Sequence, residues 1–236
     1  MCGRYSLATP NPAQLRERFR LGFDAAPEPR FNIAPGQDVV AVTTDREGLA
    51  RGDRLRWGLV PRWSKSPASG YKMINARAET LTERPAFRDA LARRRCLLPA
   101  DGFYEWQPRA HGPKQPWWIT RGDGAPFAFA GLWETWRADP DGAPLRTCTI
   151  ITTTACDALA DVHARMPVIL PAAAEQDWLA ADTPIAALRE LLAPLPSHDI
   201  ARIPVSTAVN DVANDSSVCV LAVALTPDEP TNPVLF

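Results

Sequence analysis

Short apolar runs, several of them rich in β-branched and aromatic residues, recur along the chain and are bounded by Pro, Gly and Asp. Runs of this length and composition are typical of β-strands separated by turns. Residues 30–37, RFNIAPGQ, contain Pro and Gly and are predicted to form a turn-rich loop. The pattern therefore predicts a largely antiparallel sheet or an open barrel. Its strands are expected within residues 38–44, 53–60, 95–106, 116–121, 126–135 and 146–153.

Apolar residues at helical spacing mark the segments between these runs. In residues 11–20, Leu15 and Phe19 lie four positions apart and share one face of a predicted helix. Residues 82–95 are predicted to form a second helix, whose basic last turn suits the helix dipole. The buried side of this helix is expected to carry Ala86, Phe87, Ala90 and Leu91.

Two further helices are predicted at residues 171–180 and 183–192. The second is expected to be capped by Thr183, with Pro184 at its first helical position. Short strands and short helices together predict the α+β class, with a barrel-like, largely antiparallel β-sheet core flanked by short helices.

The composition is that of one globular domain. The 236 residues are 46% hydrophobic and 22% charged, which is enough to build a sizeable core. No linker, charge block or repeat divides residues 1–236, so one domain is expected, although residues 214–236 follow no recognisable pattern. No run of about 18 apolar residues exists, and the first ten residues lack the apolar stretch of a secretory signal. These features predict a cytoplasmic protein without membrane contact.

Cysteines and histidines argue against metal and disulfide chemistry. The five cysteines are odd in number and show no CxxC spacing. Cys96, Cys148 and Cys219 lie in apolar runs, where cysteine behaves as a small hydrophobe. The three histidines are scattered and show no HExxH spacing. No metal site and no cofactor are predicted.

Charge is distributed unevenly along the chain, although the formal net charge is only −1. Residues 1–116 contain 20 Lys and Arg against 12 Asp and Glu, whereas residues 117–236 contain 6 against 15. This asymmetry indicates a basic face that can meet phosphates. The alternative, that the two halves neutralise each other across the fold, stays open.

Cys2 is the most informative position. Removal of the initiator Met leaves a cysteine whose α-amine is free, which makes a 1,2-aminothiol. An α-amine has a reference pKa of about 7.7 to 8.0, so near neutral pH part of it is an unprotonated nucleophile. It can form a Schiff base with an aldehyde, and the thiol can then add to the imine carbon and close a thiazolidine. By itself, however, a Cys at this position is usually incidental.

Seven short motifs in the same order resemble the SOS response-associated peptidase (SRAP) family, whose members sense and crosslink to abasic DNA. The resemblance covers nearly the whole chain and implies a compact α+β domain around a barrel-like antiparallel sheet. It also implies a covalent thiazolidine crosslink to the ring-opened aldehyde of an abasic site in single-stranded DNA, which protects the lesion during the damage response. The motifs are MCGR at the start, RFNIAPGQ at 30–37, WGLVPRW at 57–63, NARAET at 75–80, PADGFYEW at 99–106, DVHARMP at 161–167 and PVSTAVN at 204–210.

The resemblance implies four catalytic residues. Cys2 is the nucleophile and Asn75 holds the amine and the sugar. Glu105 and His163 handle protons, because an abasic sugar is mostly a closed hemiacetal that an acid or base must open. By itself, Asn75 before Ala-Arg is most simply a helix N-cap, and a lone histidine is more often structural.

Glu105 is the first candidate for the acid that opens the sugar. Its neighbours Phe103, Tyr104 and Trp106 are expected to desolvate the carboxyl and raise its pKa, which suits it to donate as well as accept protons. His163 contributes an imidazole, which titrates near neutrality. The other two histidines, His111 and His198, are expected at the surface.

Single-stranded DNA needs phosphate ligands and surfaces for exposed bases. Three arginines lie within two residues of Cys2, Asn75 and His163, so folding is expected to gather their guanidiniums around the site. Two tryptophans are candidates for stacking on unpaired bases, and three polar residues of the family motifs are candidates for backbone contacts. The predicted DNA-binding residues are Arg4, Asn32, Trp63, Arg77, Trp106, Thr152, Arg165 and Ser206.

Two alternatives stay open. In a cysteine peptidase, including one that processes itself, Cys2 is the nucleophile, His163 the base, and Glu105 or Asn75 the orienting group. In a passive single-stranded DNA-binding module, Cys2 is incidental. The partner expected from the first hypothesis is single-stranded DNA with abasic sites, bound by a monomer that associates with the nucleoid when on DNA.

Overall fold

The computed structural model describes residues 2–8, 12–19 and 28–225. Within these residues, no helix has the length and apolar character needed to cross a membrane. The helices are α1 (Pro12–Phe19), α2 (Pro85–Arg93), α3 (Glu175–Leu179) and α4 (Ile185–Glu190). The strands are β1 (Tyr5–Leu7), β2 (Arg30–Ile33), β3 (Asp38–Thr44), β4 (Ala50–Trp57), β5 (Asn75–Arg77), β6 (Arg95–Ala100), β7 (Gly102–Gln107), β8 (Gln115–Arg121), β9 (Phe127–Trp136), β10 (Leu145–Thr154), β11 (Arg165–Pro167), β12 (Ile169–Leu170) and β13 (Ile200–Pro204).

Five strands close into a barrel in the order β10, β4, β3, β6 and β9. The ring closes because β10 pairs antiparallel with β9 on one edge and parallel with β4 on the other. The core is rich in aromatic rings, and Tyr5 packs edge-on against Trp57 and Phe129 with centroid distances of 5.3 and 5.6 Å. The expected α+β class with a barrel-like sheet is confirmed, and the barrel is closed rather than open.

A second, antiparallel sheet runs in the order β13, β8, β7, β1 and β2. The amino-terminal strand β1 lies inside this sheet, with Tyr5 opposite Phe103 of β7 and opposite Ile33 of β2. The outlying strand β5 pairs in parallel with β10 of the barrel. This arrangement brings the amino terminus and the NARAET motif to the junction of the two sheets.

The sequence misplaced several strands. The predicted loop at 30–37 is wrong in its first half, because Arg30–Ile33 forms a strand against β1. The predicted strand at 95–106 is two strands that separate at Asp101. Strands β1, β5, β11 and β12 have only two or three residues each and were not predicted, since so short a run becomes a strand only through its partner.

The helices follow the predictions more closely. Leu15 and Phe19 of α1 are buried, as are Ala90 and Leu91 of α2. Helix α2 begins at Pro85 and ends at Arg93, and Ala86 and Phe87 are only half-buried. The segment predicted at 171–180 divides into a 3-10 turn and the short helix α3.

The predicted cap of α4 is wrong. The Thr183 hydroxyl donates a hydrogen bond to the carbonyl of Asp177 at 2.6 Å, so it is turned toward α3. Pro184 takes the N-cap position, and the helix begins one residue later at Ile185.

The segment after residue 213 packs against β2 for as far as the structure describes it. The Asp215 carboxylate accepts hydrogen bonds from the amides of Phe31 and Asn32 at 2.5 and 2.8 Å, and it pairs with Arg30. Ala222 forms a β-bridge with Val205. Residues 226–236 of the predicted tail lie outside the described residues.

Candidate active site

Cys2 is fully buried just before strand β1. The amide of Tyr104 donates to the carbonyl of Arg4 at 2.9 Å, so the β1–β7 ladder continues toward the amino terminus. Pairing on both sides of β1 thus fixes the backbone that leads to Cys2, and Cys2 itself is enclosed within the fold.

Asn75 lies at the start of β5, opposite Ile150 of the barrel strand β10. Its side-chain Nδ2 donates to the carbonyl oxygen of Cys2 at 2.8 Å. Its Oδ1 is buried and accepts no hydrogen bond from the residues that the structure describes. Asn75 is therefore a strand residue that faces the amino terminus, and the simple N-cap interpretation is wrong.

Glu105 lies in β7 opposite Trp117 and is almost completely buried. Burial raises the pKa of its carboxyl, and the charge of His163 acts in the opposite direction. The direction agrees with the predicted shift. A carboxyl with a raised pKa keeps its proton to higher pH and can therefore donate it.

The Cys2 thiol is fully buried, and its sulfur lies 3.8 Å from the carbonyl oxygen of Arg4. Burial raises the pKa of the thiol far above its usual range, and the negative charge of Glu105 adds to the rise. The thiol is therefore protonated near neutral pH, so a nucleophilic step through sulfur requires a base to remove its proton.

His163 precedes β11, and its ring is held by its own chain. The amide of Arg165 donates to Nδ1 at 2.9 Å. Nδ1 also lies 3.1 Å from the carbonyl oxygen of Arg165, so both backbone groups of that residue hold the ring. The four predicted catalytic residues form one cluster. Asn75 contacts Cys2, and the charge of Glu105 interacts with both Cys2 and His163.

Two of the predicted DNA-binding residues are engaged within the protein. The guanidinium of Arg4 donates to Asn32 Oδ1 at 2.8 Å and to the carbonyl of Val209 at 2.7 Å. It also lies 5.9 Å from the ring centroid of Trp106. Asn32 is fully buried, and its Nδ2 is directed at three carbonyls of residues 209–214. Both side chains hold the segment 209–214 against β2.

Arg165 is also paired within the protein. Its guanidinium forms a two-pronged contact with Glu79 at 2.5 and 3.0 Å and donates to the carbonyl of Thr152 at 2.6 Å. Thr152 is fully buried. Glu79 was missed by the sequence prediction. The signal that identifies it is its place in the NARAET motif, two residues after Arg77.

The remaining candidates lie nearer the surface. Trp63 is 67% exposed and Arg77 is exposed. Trp106 is partly buried and donates through Nε1 to Asn210 Oδ1 at 2.7 Å. The Ser206 side chain accepts from the amide of Ala208 at 3.2 Å and caps a 3-10 helix. Among the described residues, no group of three or more His, Cys, Asp and Glu side chains has the arrangement of a metal site.

The fold and the site define a class of single-domain α+β protein in which a closed barrel and an antiparallel sheet enclose an amino-terminal cysteine beside an amide, a carboxyl and an imidazole. The chain belongs to the SOS response associated peptidase (SRAP) family, whose model matches residues 1–212.

Relatives align over most of their length. The chain is 43% identical to the abasic site processing protein YoqW of Bacillus subtilis, over 92% of this chain and 97% of that one. It is 33% identical to the abasic site processing protein HMCES of Gallus gallus, over 91% and 70%. A crystal structure of a protein from Bacteroides thetaiotaomicron superposes with a TM-score of 0.83 at 23% identity, over 94% and 100% of the two chains, which shows the common fold.

Proposed function

We propose that this protein captures abasic sites in single-stranded DNA by forming a covalent bond through Cys2. The observation that carries the proposal is the hydrogen bond from Asn75 to the Cys2 carbonyl, which holds the amino-terminal residue beside Glu105 and His163. The SRAP family model spans residues 1–212, which include this cluster, and the relatives named as abasic site processing proteins match 92% and 91% of the chain.

The chemistry begins once the initiator Met has been removed. The α-amine of Cys2 adds to C1′ of the ring-opened sugar, and loss of one water gives an imine. The thiol sulfur then bonds to the same carbon while the thiol proton passes to the imine nitrogen. The product is a thiazolidine, and the net reaction releases one water. Amine attack precedes sulfur attack, because burial keeps the thiol protonated.

The neighbouring side chains have distinct tasks. Glu105, with its raised pKa, donates a proton to open the hemiacetal and to expel water, and the resulting carboxylate accepts the thiol proton on its way to nitrogen. The imidazole of His163 supplies a second group for proton transfer. The buried Oδ1 of Asn75 accepts a hydrogen bond from the Cys2 amine, and thereby orients its lone pair toward the sugar.

The DNA strand is bound by its backbone and its bases. Arg77, exposed two residues after Asn75, attracts the phosphate beside the lesion, and exposed Trp63 offers a face for an unpaired base. The stable adduct shields the lesion from other reactions during the damage response. If the imine instead eliminates the 3′ phosphate before the sulfur attacks, the DNA strand is cleaved, which is a lyase reaction.

A cysteine peptidase is the weaker candidate. A thiol protease attacks with a thiolate in its first step, whereas burial raises the pKa of the Cys2 thiol; the crosslinking route begins with the amine and needs the sulfur only afterwards. Removal of the residue before Cys2 by the same cluster is compatible with this setting, because the peptide bond lies within the chain itself.

The test combines intact-protein mass analysis with an adduct assay on abasic single-stranded DNA. The wild type, processed to a free Cys2, is expected to give a heat-stable adduct. Cys2→Ser keeps the amine and loses the sulfur, so it is expected to form only an imine that borohydride traps. Cys156→Ser, which removes another buried thiol, is the matched control and is expected to retain the adduct. A stable adduct formed by protein that still carries Met1 contradicts the proposal.

A further inference from the structure

The chain between Asp53 and Glu79 contains no acidic residue. It carries six cationic side chains, and all of them are exposed: Arg54, Arg56, Arg62, Lys65, Lys72 and Arg77. The last of these lies two residues from Asn75. A mainly positive stretch of surface, with Asp38 beside Arg56 as an acidic neighbour, therefore leads away from the candidate active site, and it attracts a polyanion.

Tyr71 is the most exposed large aromatic residue on this stretch, at 73% exposure. One edge of its ring lies near Gly36: a Cβ built on that glycine, whose φ is +86°, would lie 3.4 Å from Cε1 and 3.9 Å from the hydroxyl oxygen of Tyr71. That edge is thus close to the Gly36 turn, while most of the side chain faces solvent.

The segment that carries Tyr71 is firmly held. Gly70 and Gly58 meet backbone to backbone, since a Cβ on Gly70 would lie 2.5 Å from the carbonyl oxygen of Gly58. The amide of Met73 donates to the Gly70 carbonyl at 2.9 Å, and Ser66 caps the 3-10 helix of residues 67–72. The exposure of the ring is therefore not the result of a frayed loop, and little conformational entropy is lost when a ligand stacks on it.

A cavity of about 230 Å³ opens beside Tyr71, lined also by Gly36, Arg56 and Leu145. Pockets for drug-sized ligands measure roughly 300 to 1,000 Å³. This smaller volume suits a single planar ring system. Arg56 pairs with Asp38 at 3.5 Å, but both side chains are at least half exposed, so the pair is weak and leaves the guanidinium available to a phosphate.

We propose that Tyr71 and this cavity form a subsite for one unpaired nucleobase of the strand whose lesion reaches Cys2. The inference rests on the proposed function. The cavity extends from Tyr71, four residues before Asn75, to Leu145. Leu145 lies five residues along β10 from Ile150, which pairs with Asn75, and this is about 16 Å at 3.3 Å per residue. The base in the subsite is therefore a neighbour of the lesion and not the lesion itself. Stacking on Tyr71 makes the subsite tolerant of base identity.

The experiment removes the Tyr71 ring from the protein and one base from the DNA, first separately and then together. The probe is a fluorescent single-stranded oligonucleotide whose lesion is a tetrahydrofuran, which lacks the aldehyde and cannot react. A second tetrahydrofuran is placed in turn at each neighbouring position, and Kd is measured by anisotropy. One position is expected to weaken binding by the wild type about 5- to 150-fold. Tyr71→Ala is expected to weaken binding of the parent probe similarly and to be insensitive to loss of that base.

Two variants sharpen the result. Tyr71→Phe keeps the ring and is expected to behave as the wild type. Leu49→Ala, which removes another exposed apolar side chain on the β3–β4 turn, is expected to change nothing. The subsite is excluded when no position is sensitive in the wild type, or when the losses from Tyr71→Ala and base removal multiply. It is also excluded when Tyr71→Ala alters self-association but not DNA affinity.

The failure of this inference is distinguishable from the failure of the proposed function. Formation of the Cys2 adduct on abasic DNA, together with equal DNA affinities of wild type and Tyr71→Ala, overturns the subsite alone. Absence of both the adduct and single-stranded DNA binding in the wild type overturns both.

Discussion

The side-chain amide of Asn75 is hydrogen-bonded to the backbone carbonyl of Cys2, 73 residues away in the chain, at 2.8 Å. The contact joins strand β5, which is attached to the barrel, to the amino terminus, which is attached to the second sheet. Cys2 is thus held between the two sheets by an amide whose Oδ1 accepts no hydrogen bond from the residues that the structure describes.

Asn75→Asp is expected to reduce the rate of adduct formation by tenfold or more. The substitution keeps the shape but replaces the Nδ2 donor with a carboxylate oxygen that repels the Cys2 carbonyl. Single-turnover adduct kinetics on abasic DNA measure the effect. Circular dichroism and the affinity for undamaged DNA serve as controls, and both are expected to change little. An unaltered rate would remove Asn75 from the mechanism.

Glu105 is expected to determine the alkaline limb of the pH–rate profile of crosslinking, where the rate falls as pH rises. Its pKa is raised by burial, so loss of its proton as pH rises removes the acid that opens the sugar. Glu105→Gln is expected to be slow at every pH and to lack this limb. Glu175→Gln is the matched control, because burial also raises the pKa of this carboxyl, which pairs with Arg18 outside the site.

The raised pKa of Glu105 also predicts how the stability of Glu105→Gln depends on pH. A folded pKa above the unfolded value contributes stability at low pH that is lost as pH rises through the folded pKa. Glu105→Gln is therefore expected to have a higher Tm than the wild type near neutral pH. The difference should shrink as pH falls to the ordinary value of 4.5. A difference that does not vary with pH contradicts the assigned direction of the shift.

Arg77→Gln is expected to weaken binding to single-stranded DNA and to reduce its dependence on salt. Each phosphate contact on a single strand contributes about 0.7 to the slope of log K against log salt, so the slope should fall by roughly that amount. Titrations at several salt concentrations provide the measurement. Arg189→Gln, which removes an exposed cation from α4, should leave the slope unchanged.

Asp215→Ala is expected to destabilise the fold by roughly 2 kcal/mol, because hydrogen bonds to charged groups contribute about 1.5 to 3 kcal/mol each and this carboxylate is partly exposed. The loss would leave the amides of Phe31 and Asn32 without their acceptor. Chemical unfolding measures the change. Asp182→Ala at an exposed position is the control. Equal stability of the two variants would show that the segment after residue 213 contributes nothing to the domain.

Much of the secondary structure followed from local patterns. The apolar runs identified the long barrel strands, and the spacing of Leu15 and Phe19 identified the buried face of α1. The short strands escaped detection for a physical reason. Three residues such as Asn75–Arg77 carry too little periodicity to be distinguished from a helix cap, and only pairing with β10 makes them a strand.

The sequence by itself determined the α+β class, the family motifs and the presence of a cysteine at position 2. Only the tertiary structure decided that the barrel closes and which arginines are paired within the protein. In the sequence, Arg4 and Arg165 could not be distinguished from Arg77 as phosphate ligands. In the folded protein, Arg4 is hydrogen-bonded to Asn32 and Val209, and Arg165 is paired with Glu79. Such assignments depend on partners 28 to 205 residues away, whose approach is set by strand register and packing and leaves no mark on local sequence.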